Sequence, residues 1–194
     1  MIEKRKEYKF LLNTSQVGGF LQNFENKLIP LYPKRTITSL YFDTVDFFLF
    51  NNSRLHDANK MKLRVRTYSN GNRFFKEIKL NDSFGKRKIV ENLKINSFDQ
   101  ANKINYKNLI LLPSVYTSYN REYYSFEDLR ITVDNEIKFT SHKKRTLSKI
   151  ENQFSKSVIE FKLGQESVDV ERYFILNPVA FSKYQTAISN IYNL

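Results

Sequence analysis

The sequence predicts an α+β protein built mostly of antiparallel strands with a few helices. Apolar and charged residues alternate along several segments, which is the period of a strand with one buried face, while only a few segments repeat with the period of a helix. Five Gly and four Pro are scattered over 194 residues without a linker-like run or an internal repeat. We therefore expect a single domain over residues 1–194.

The first half of the chain divides into strands and two short helical segments. Residues 2–12 alternate as in a strand, and Thr14 and Ser15 then offer an N-cap for a helix with an apolar face of Val17, Phe20, Leu21, Phe24 and Leu28. β-Branched and aromatic residues predict a strand at 36–43. Asp43 and Thr44 are expected to cap a helical turn through Phe47–Phe50.

The second half is mostly strands and ends in a helix. The spans 60–68 and 73–80 form a predicted hairpin through Ser69-Asn70-Gly71. Further strands are expected at 85–94, 116–126, 129–139 and 156–163. After Gly164 the pattern becomes helical, first around Val168, Tyr173 and Phe174 and then in a last helix with Tyr184, Ile188 and Ile191.

Composition limits the classes of function. With 32 Lys and Arg against 20 Asp and Glu, the net charge of +12 favours a polyanionic partner: phosphate chains, nucleic acid or an anionic membrane surface. The chain has no Cys and two His, which excludes thiolate chemistry and Cys-based zinc sites. No segment is long and apolar enough to be a membrane span, and Met1–Lys6 lacks the apolar part of a secretory signal. These features predict a cytoplasmic protein.

Charged residues recur two or four apart in five of the predicted strands, so they share one face of each strand. They are Arg5/Glu7/Lys9, Lys62/Arg64/Arg66, Glu77/Lys79, Arg130/Asp134 and Glu160/Lys162. For a single strand this pattern indicates only one solvated face and one core face. On five strands together it favours an anion site, because curling such a sheet would concentrate positive potential inside a tunnel.

Eight segments in chain order resemble the VTC domain, the polyphosphate-polymerase branch of the CYTH-like triphosphate tunnel metalloenzymes. They are Arg5-Lys6-Glu7-Tyr8-Lys9-Phe10, Ser39-Leu40-Tyr41-Phe42-Asp43-Thr44, Lys62-Leu63-Arg64-Val65-Arg66-Thr67-Tyr68, Glu77-Ile78-Lys79, Tyr119-Asn120-Arg121, Arg130-Ile131-Thr132-Val133-Asp134, Glu160-Phe161-Lys162 and Ser182-Lys183-Tyr184. The resemblance implies a closed antiparallel β-barrel, the triphosphate tunnel, with flanking helices. Its lumen would carry Lys and Arg for a tri- or polyphosphate and Glu for a divalent metal.

The resemblance also implies roles for individual residues. The phosphate-binding set is Lys9, Arg64, Arg66, Lys79, Lys88, Arg121, Arg130, Lys162, Ser182 and Lys183, of which Lys79, Arg64 and Arg66 would act in catalysis. Glu160 and Glu7 would bind Mn²⁺ or Mg²⁺, and Glu77 either joins them or orients the cations. Strand parity leaves open whether Lys86 and Lys88 or Arg87 face inward. Arg54 is either a further phosphate ligand or a solvated loop arginine.

The related hydrolases begin with Glu-x-Glu-x-Lys, whereas this chain has Arg-x-Glu-x-Lys with Arg5 first. Water needs a carboxylate to activate it, but a phosphate chain end is already an oxyanion. The resemblance therefore implies metal-dependent transfer of the ATP γ-phosphoryl group to a polyphosphate chain. A non-catalytic module for polyphosphate or inositol polyphosphate, and an inorganic tripolyphosphatase, stay open.

Other kinds of site and partner are less favoured. A Gly-rich phosphate loop is absent from the sequence, and His56 and His142 lie in polar, loop-like segments that do not indicate a catalytic triad. Aliphatic residues alternate with the basic ones, which argues against base stacking and hence against nucleic acid. The expected partners are a nucleoside triphosphate and polyphosphate, with a hydrophobic or aromatic shelf at the tunnel mouth for adenine. A membrane-bound partner stays open.

Overall fold

The computed structural model describes residues 7–24, 27–55, 59–69, 71–83, 85–143, 145–164 and 176–194. Within these ranges the strands are β1 Glu7–Asn13, β2 Ile29–Asp43, β3 Lys60–Tyr68, β4 Gly71–Asp82, β5 Gly85–Leu93, β6 Ile104–Tyr106, β7 Leu109–Phe126, β8 Leu129–Ser141, β9 Glu151–Gln153 and β10 Lys156–Leu163. The α-helices are α1 Val17–Gln22, α2 Phe48–Arg54 and α3 Lys183–Tyr192. The predicted α+β class with a mostly antiparallel sheet is confirmed.

The main sheet has the strand order β1-β10-β8-β7-β2-β3-β4-β5, with β6 paired to β7 and β9 to β8. Every pairing is antiparallel. Among the described residues, β1 and β5 are the two edges of the sheet and do not pair with each other. The predicted closed β-barrel is therefore wrong. Alternation along a strand fixes which face each residue occupies, but it does not determine which edges meet.

The sheet is nevertheless strongly curled. Lys9 on β1 and Lys62 on β3 hydrogen-bond to the consecutive residues Phe181 and Ser182. Strands β1 and β3 are five positions apart in the sheet, which would be about 24 Å in a flat sheet at about 4.8 Å per strand. Contacts from both strands to one point require the two halves of the sheet to face each other over a concave surface.

Two apolar clusters cover the convex face. The first joins β1, β8 and β10 to α1 through Phe10, Phe20, Phe24, Ile131 and Phe161, all of which are buried. The second lies over β2, β3 and β4 and includes Leu40, Phe42, Leu63, Val65 and Ile78, with Leu49 of α2 packed against it. Burial of these side chains is the main stabilising contribution on this side of the sheet.

Helix α3 packs on the concave face. Its buried residues Tyr184, Ala187, Ile188 and Ile191 contact Ile37, Tyr41, Val115, Phe139 and Val158 of the sheet. By strand parity Tyr41 and Val158 lie on the same face as Arg64 and Glu160. The helix therefore packs on the same face of the sheet as the charged residues.

Most predicted elements are confirmed within the described residues, including the capping role of Asp43. Its carboxylate accepts hydrogen bonds from the backbone N–H groups of Leu49 (2.8 Å) and Phe50 (3.0 Å) at the start of α2. β2 and β7 begin earlier than predicted, and β6 and β9 were not predicted. The helix predicted around Val168, Tyr173 and Phe174 and the strand residues 2–6 lie outside the described residues. None of the described helices has the length and apolar character needed to cross a membrane.

Candidate anion-binding site on the concave face

The basic residues of β3 form the centre of the concave face. Lys62, Arg64 and Arg66 lie two apart and point away from Leu63 and Val65, which are buried in the convex core. The predicted alternation thus places the cations and the core on opposite faces.

A buried glutamate holds this group in place. Glu77 is only 3% exposed, and it accepts hydrogen bonds from Arg64 Nε (2.7 Å) and Nη2 (2.5 Å) and from Lys88 Nζ (2.7 Å). Arg66 Nη1 lies 3.7 Å from the same carboxylate. Burial alone would raise the pKa of Glu77, but Arg64, Arg66 and Lys88 lower it to about 2. Glu77 is therefore an anion that contacts Arg64, Arg66 and Lys88 together.

Hydroxyl groups complete the fixation of the arginines. Arg64 Nη1 donates to the phenol of Tyr41 (2.9 Å). Arg66 donates from Nε to Ser39 Oγ (3.0 Å) and from Nη2 to the phenol of Tyr119 (3.0 Å). With both guanidinium groups held on several sides, their positions are set before any ligand arrives.

A second buried carboxylate holds basic residues of β7 and α3 in place. Asp134 on β8 is fully buried and accepts from Arg121 Nε (2.5 Å) and Nη2 (2.7 Å) and from Lys183 Nζ (2.5 Å). Burial would raise the pKa of Asp134, but Lys183 and Arg121 lower it. Lys183 Nζ also lies 4.5 Å from the ring centroid of Tyr119. This carboxylate connects β7 and α3 to the same cationic surface.

The start of α3 contributes further groups to the site. Ser182 is the N-cap of α3, and its Oγ accepts from Lys62 Nζ (2.8 Å). Lys9 on β1 donates from Nζ to the carbonyl oxygen of Phe181 (2.9 Å). The positive end of the helix dipole thus lies among the lysines, where it favours an anion.

Lys79 on β4 and Lys62 on β3 are register partners on adjacent strands, so their side chains lie next to each other on the same face of the sheet. Desolvation and repulsion from Arg64 and Lys162 lower the pKa of Lys79 to about 7. Desolvation, with repulsion from Lys9 and Arg64, lowers the pKa of Lys62 to about 8. Crowded cations of this kind gain free energy from an anion that neutralises them.

The two predicted metal ligands converge on one point. Lys162 Nζ lies 2.7 Å from Glu160 Oε1 and 3.2 Å from Glu7 Oε1. Burial would raise the pKa of Glu160, but Lys162 and Lys9 lower it, so the carboxylate stays ionised. Two carboxylates suit Mg²⁺ or Mn²⁺ when water and phosphate oxygens fill the remaining positions. No cluster of three or more His, Asp or Glu suited to a metal ion occurs within the described ranges.

The remaining predicted residues take definite positions. Lys88 contacts Glu77 on the concave face, whereas Arg87 pairs with Asp82 on the other face of β5. Of the two alternatives considered for this strand, the structure therefore has Lys88, and not Arg87, on the concave face. Arg130 lies opposite Lys162 and is exposed on the same face. Arg54 is exposed at the end of α2 and lies over the ring of Phe50 at 5.5 Å, and within the described ranges it makes no contact with the site residues.

Sequence reasoning missed several residues of the site. Lys62, Asp134, Tyr41, Tyr119 and Ser39 were not among the predicted site residues, yet each contacts one of them. Alternation with Arg64 and Arg130 places Lys62 and Asp134 on the charged strand face, although it assigns them no role there. Arg5 and His56 lie outside the described residues. His142 is buried.

Comparisons with known proteins agree with this geometry. A family model for the VTC domain matches residues 4–192. The fold is similar to that of an adenylate cyclase-like protein from Bacillus halodurans (17% identity, TM-score 0.61, covering 95% of this chain and 97% of that chain). It is also similar to PH1819 from Pyrococcus horikoshii (13% identity, TM-score 0.57, 96% and 99%).

The same fold occurs outside these proteins. A chain of the Mediator head module from Schizosaccharomyces pombe is similar as well (8% identity, TM-score 0.52, 97% of this chain and 91% of that chain). Similarity at such low identities shows the fold and does not assign an activity. Among curated proteins, none matches the sequence.

Proposed function

We propose that this chain, which belongs to the VTC domain family, binds ATP and polyphosphate on its concave face and transfers the γ-phosphoryl group of ATP to the end of the polyphosphate chain. The main support is the pair of buried carboxylates, Glu77 and Asp134, each of which fixes several cations on one surface. Cations that are held in this way stabilise developing charge without having to reorganise during the reaction.

Each group of basic residues in the site has its own role in this reaction. Arg64 and Arg66 hold the transferring phosphoryl group, and Lys79 neutralises its oxygens from β4. The neighbouring phosphate is held by Arg121 of β7 and by Ser182 and Lys183 at the start of α3. Lys9, Lys88, Arg130 and Lys162 continue the positive surface along the bound chain.

The chemistry is an in-line displacement. A terminal oxygen of polyphosphate forms a bond to the γ-phosphorus, and the bond from that phosphorus to the β,γ-bridging oxygen breaks. The electron pair leaves with ADP. Because the attacking oxygen is already an anion, no general base is required, and alignment and charge neutralisation suffice.

A divalent ion fits this site in a specific way. Glu160 and Glu7 would hold Mg²⁺ or Mn²⁺ between them, at the place where both carboxylates now contact Lys162. When bound, the ion supplies charge neutralisation of the phosphates. Lys162 would then shift from these carboxylates to a phosphate oxygen.

Product analysis tests the proposal. The purified protein is incubated with ATP and Mn²⁺, with and without a short polyphosphate primer, and products are resolved by chain length. We expect ADP and lengthening chains, loss of turnover in Arg64→Ala, and loss of metal dependence in Glu160→Gln. Arg87→Ala is the matched control, because this arginine pairs with Asp82 away from the concave face.

Other products would contradict the proposal. Orthophosphate without chain growth would identify a hydrolase. Tight polyphosphate binding without turnover would identify a binding module, and full metal dependence in Glu160→Gln would refute the metal assignment.

A further inference from the structure

An arginine outside the predicted site extends the concave surface. Arg35 on β2 pairs in register with Arg121 on β7, and it lies two residues before the buried Ile37 on the same strand face. It is eight residues before Asp43, which Tyr184 of α3 contacts, or about 26 Å along the strand at about 3.3 Å per residue. Arg35 therefore lies well along β2 from the end that Tyr184 contacts, and Ile37, which belongs to the same apolar cluster as α3, lies between the two positions.

Three tyrosine rings surround this guanidinium. Arg35 Cζ lies 5.0 Å from the ring centroid of Tyr32, 5.1 Å from that of Tyr123 and 5.7 Å from that of Tyr68. Tyr32 and Tyr123 also pack edge to face at 5.4 Å. Aromatic rings hold a guanidinium in place without neutralising its charge.

Arg35 differs from the arginines of the candidate site in its partners. Arg64 and Arg121 each pair with a buried carboxylate. In the described part of the chain, Arg35 forms no ion pair, and its Nε is buried without a hydrogen-bond partner. A buried donor without a partner is costly, and here it shows that the surrounding protein leaves part of the hydrogen-bonding capacity of this guanidinium unused.

The rings also connect Arg35 to the candidate site. Tyr123 lies under Arg121 (5.9 Å) as well as Arg35, and Tyr68 lies under Arg66 (5.9 Å) as well as Arg35. The rings of Tyr68 and Tyr123 therefore connect Arg35 to Arg66 and Arg121 of the candidate site.

We propose that Arg35, held by Tyr32, Tyr68 and Tyr123, is a distal phosphate subsite that contacts polyphosphate chains too long to be held by the central site alone. The inference rests on the proposed function and names its substrate more closely: a long chain in preference to a triphosphate. A guanidinium is suited to this task because its planar N–H groups bind phosphate oxygens in pairs.

Calorimetric titration at constant ionic strength tests this subsite. Wild type, Arg35→Gln and Arg35→Lys are each titrated with tripolyphosphate and with size-fractionated long-chain polyphosphate. We expect Arg35→Gln to weaken long-chain binding about tenfold, as for loss of one charge-assisted hydrogen bond, and to leave tripolyphosphate binding unchanged. Arg35→Lys should weaken the binding of long-chain polyphosphate less than Arg35→Gln does. Lys34→Gln is the control, because Lys34 is half exposed and pairs with Glu122 (3.3 Å).

The outcomes separate the two proposals. Equal weakening of both ligands in Arg35→Gln, or no weakening of either, would overturn the distal subsite while the proposed function stands. Failure of the wild type to bind either ligand would overturn the proposed function and the subsite together. If Arg35→Gln does not fold, Arg35→Lys carries the same comparison, and unchanged binding of both ligands would overturn the subsite.

Discussion

Replacing Glu77 with Gln should destabilise the protein strongly and change how its stability depends on pH. The carboxylate is 3% exposed and contacts Arg64, Arg66 and Lys88. The pKa of Glu77 falls from an ordinary 4.5 to about 2 in the folded protein. This difference corresponds to about 3 kcal/mol of stability, at about 1.4 kcal/mol per pH unit.

The sign follows from the direction of the shift. Because the pKa of Glu77 is lower in the folded state than in the unfolded state, its contribution is complete above about pH 4.5 and is lost as the pH falls to about 2. We expect Glu77→Gln to lose about 3 kcal/mol at pH 7 and to lack this part of the acid dependence. Urea unfolding from pH 7 down to pH 2.5 measures both.

A surface glutamate supplies the control. Glu91 on β5 pairs with Lys76 at 2.5 Å, but its side chain is 54% exposed. Glu91→Gln should therefore cost less than about 1 kcal/mol. Equal losses in the two variants, or an acid dependence in Glu77→Gln that matches the wild type, would refute the argument that burial makes this carboxylate important.

Two further predictions concern Lys79 and Tyr184. Because the pKa of Lys79 is lowered to about 7, its ammonium loses its proton as the pH rises through that value. Tripolyphosphate affinity should therefore fall between pH 6 and 9 in the wild type and less in Lys79→Met; identical titration profiles would contradict this. Tyr184→Phe removes the hydrogen bond from the phenol to Asp43 and should lower the free energy of unfolding by about 1–2 kcal/mol. Thermal unfolding measures this loss, and an unchanged midpoint would argue against the bond.

Local sequence patterns predicted most strands because alternation is a local property. The convex core residues Leu63, Val65, Ile131 and Phe161 follow from it directly. So do the positions of Arg64, Arg66 and Lys79 on one face. β6 and β9 are three residues each, too short for a recognisable period, and exist because β7 and β8 offer them partners.

Pairings between distant segments could not be predicted in this way. Glu77 was expected either to bind a metal or to orient cations, and only the folded chain brings Lys88 and Arg64 to opposite oxygens of its carboxylate. Arg35 gave no signal in the sequence. Its significance comes from rings on β2, β3 and β7 that are far apart in the chain.

The sequence by itself determined the charge, the strand faces and the family, because these depend on residue types and on spacings of a few residues. Tertiary structure decided that the sheet curls but stays open between β1 and β5, that α3 packs on the concave face, and which carboxylate holds which cation. Curvature and edge pairing arise from twist and packing summed over many strands. No single segment of the chain contains that information.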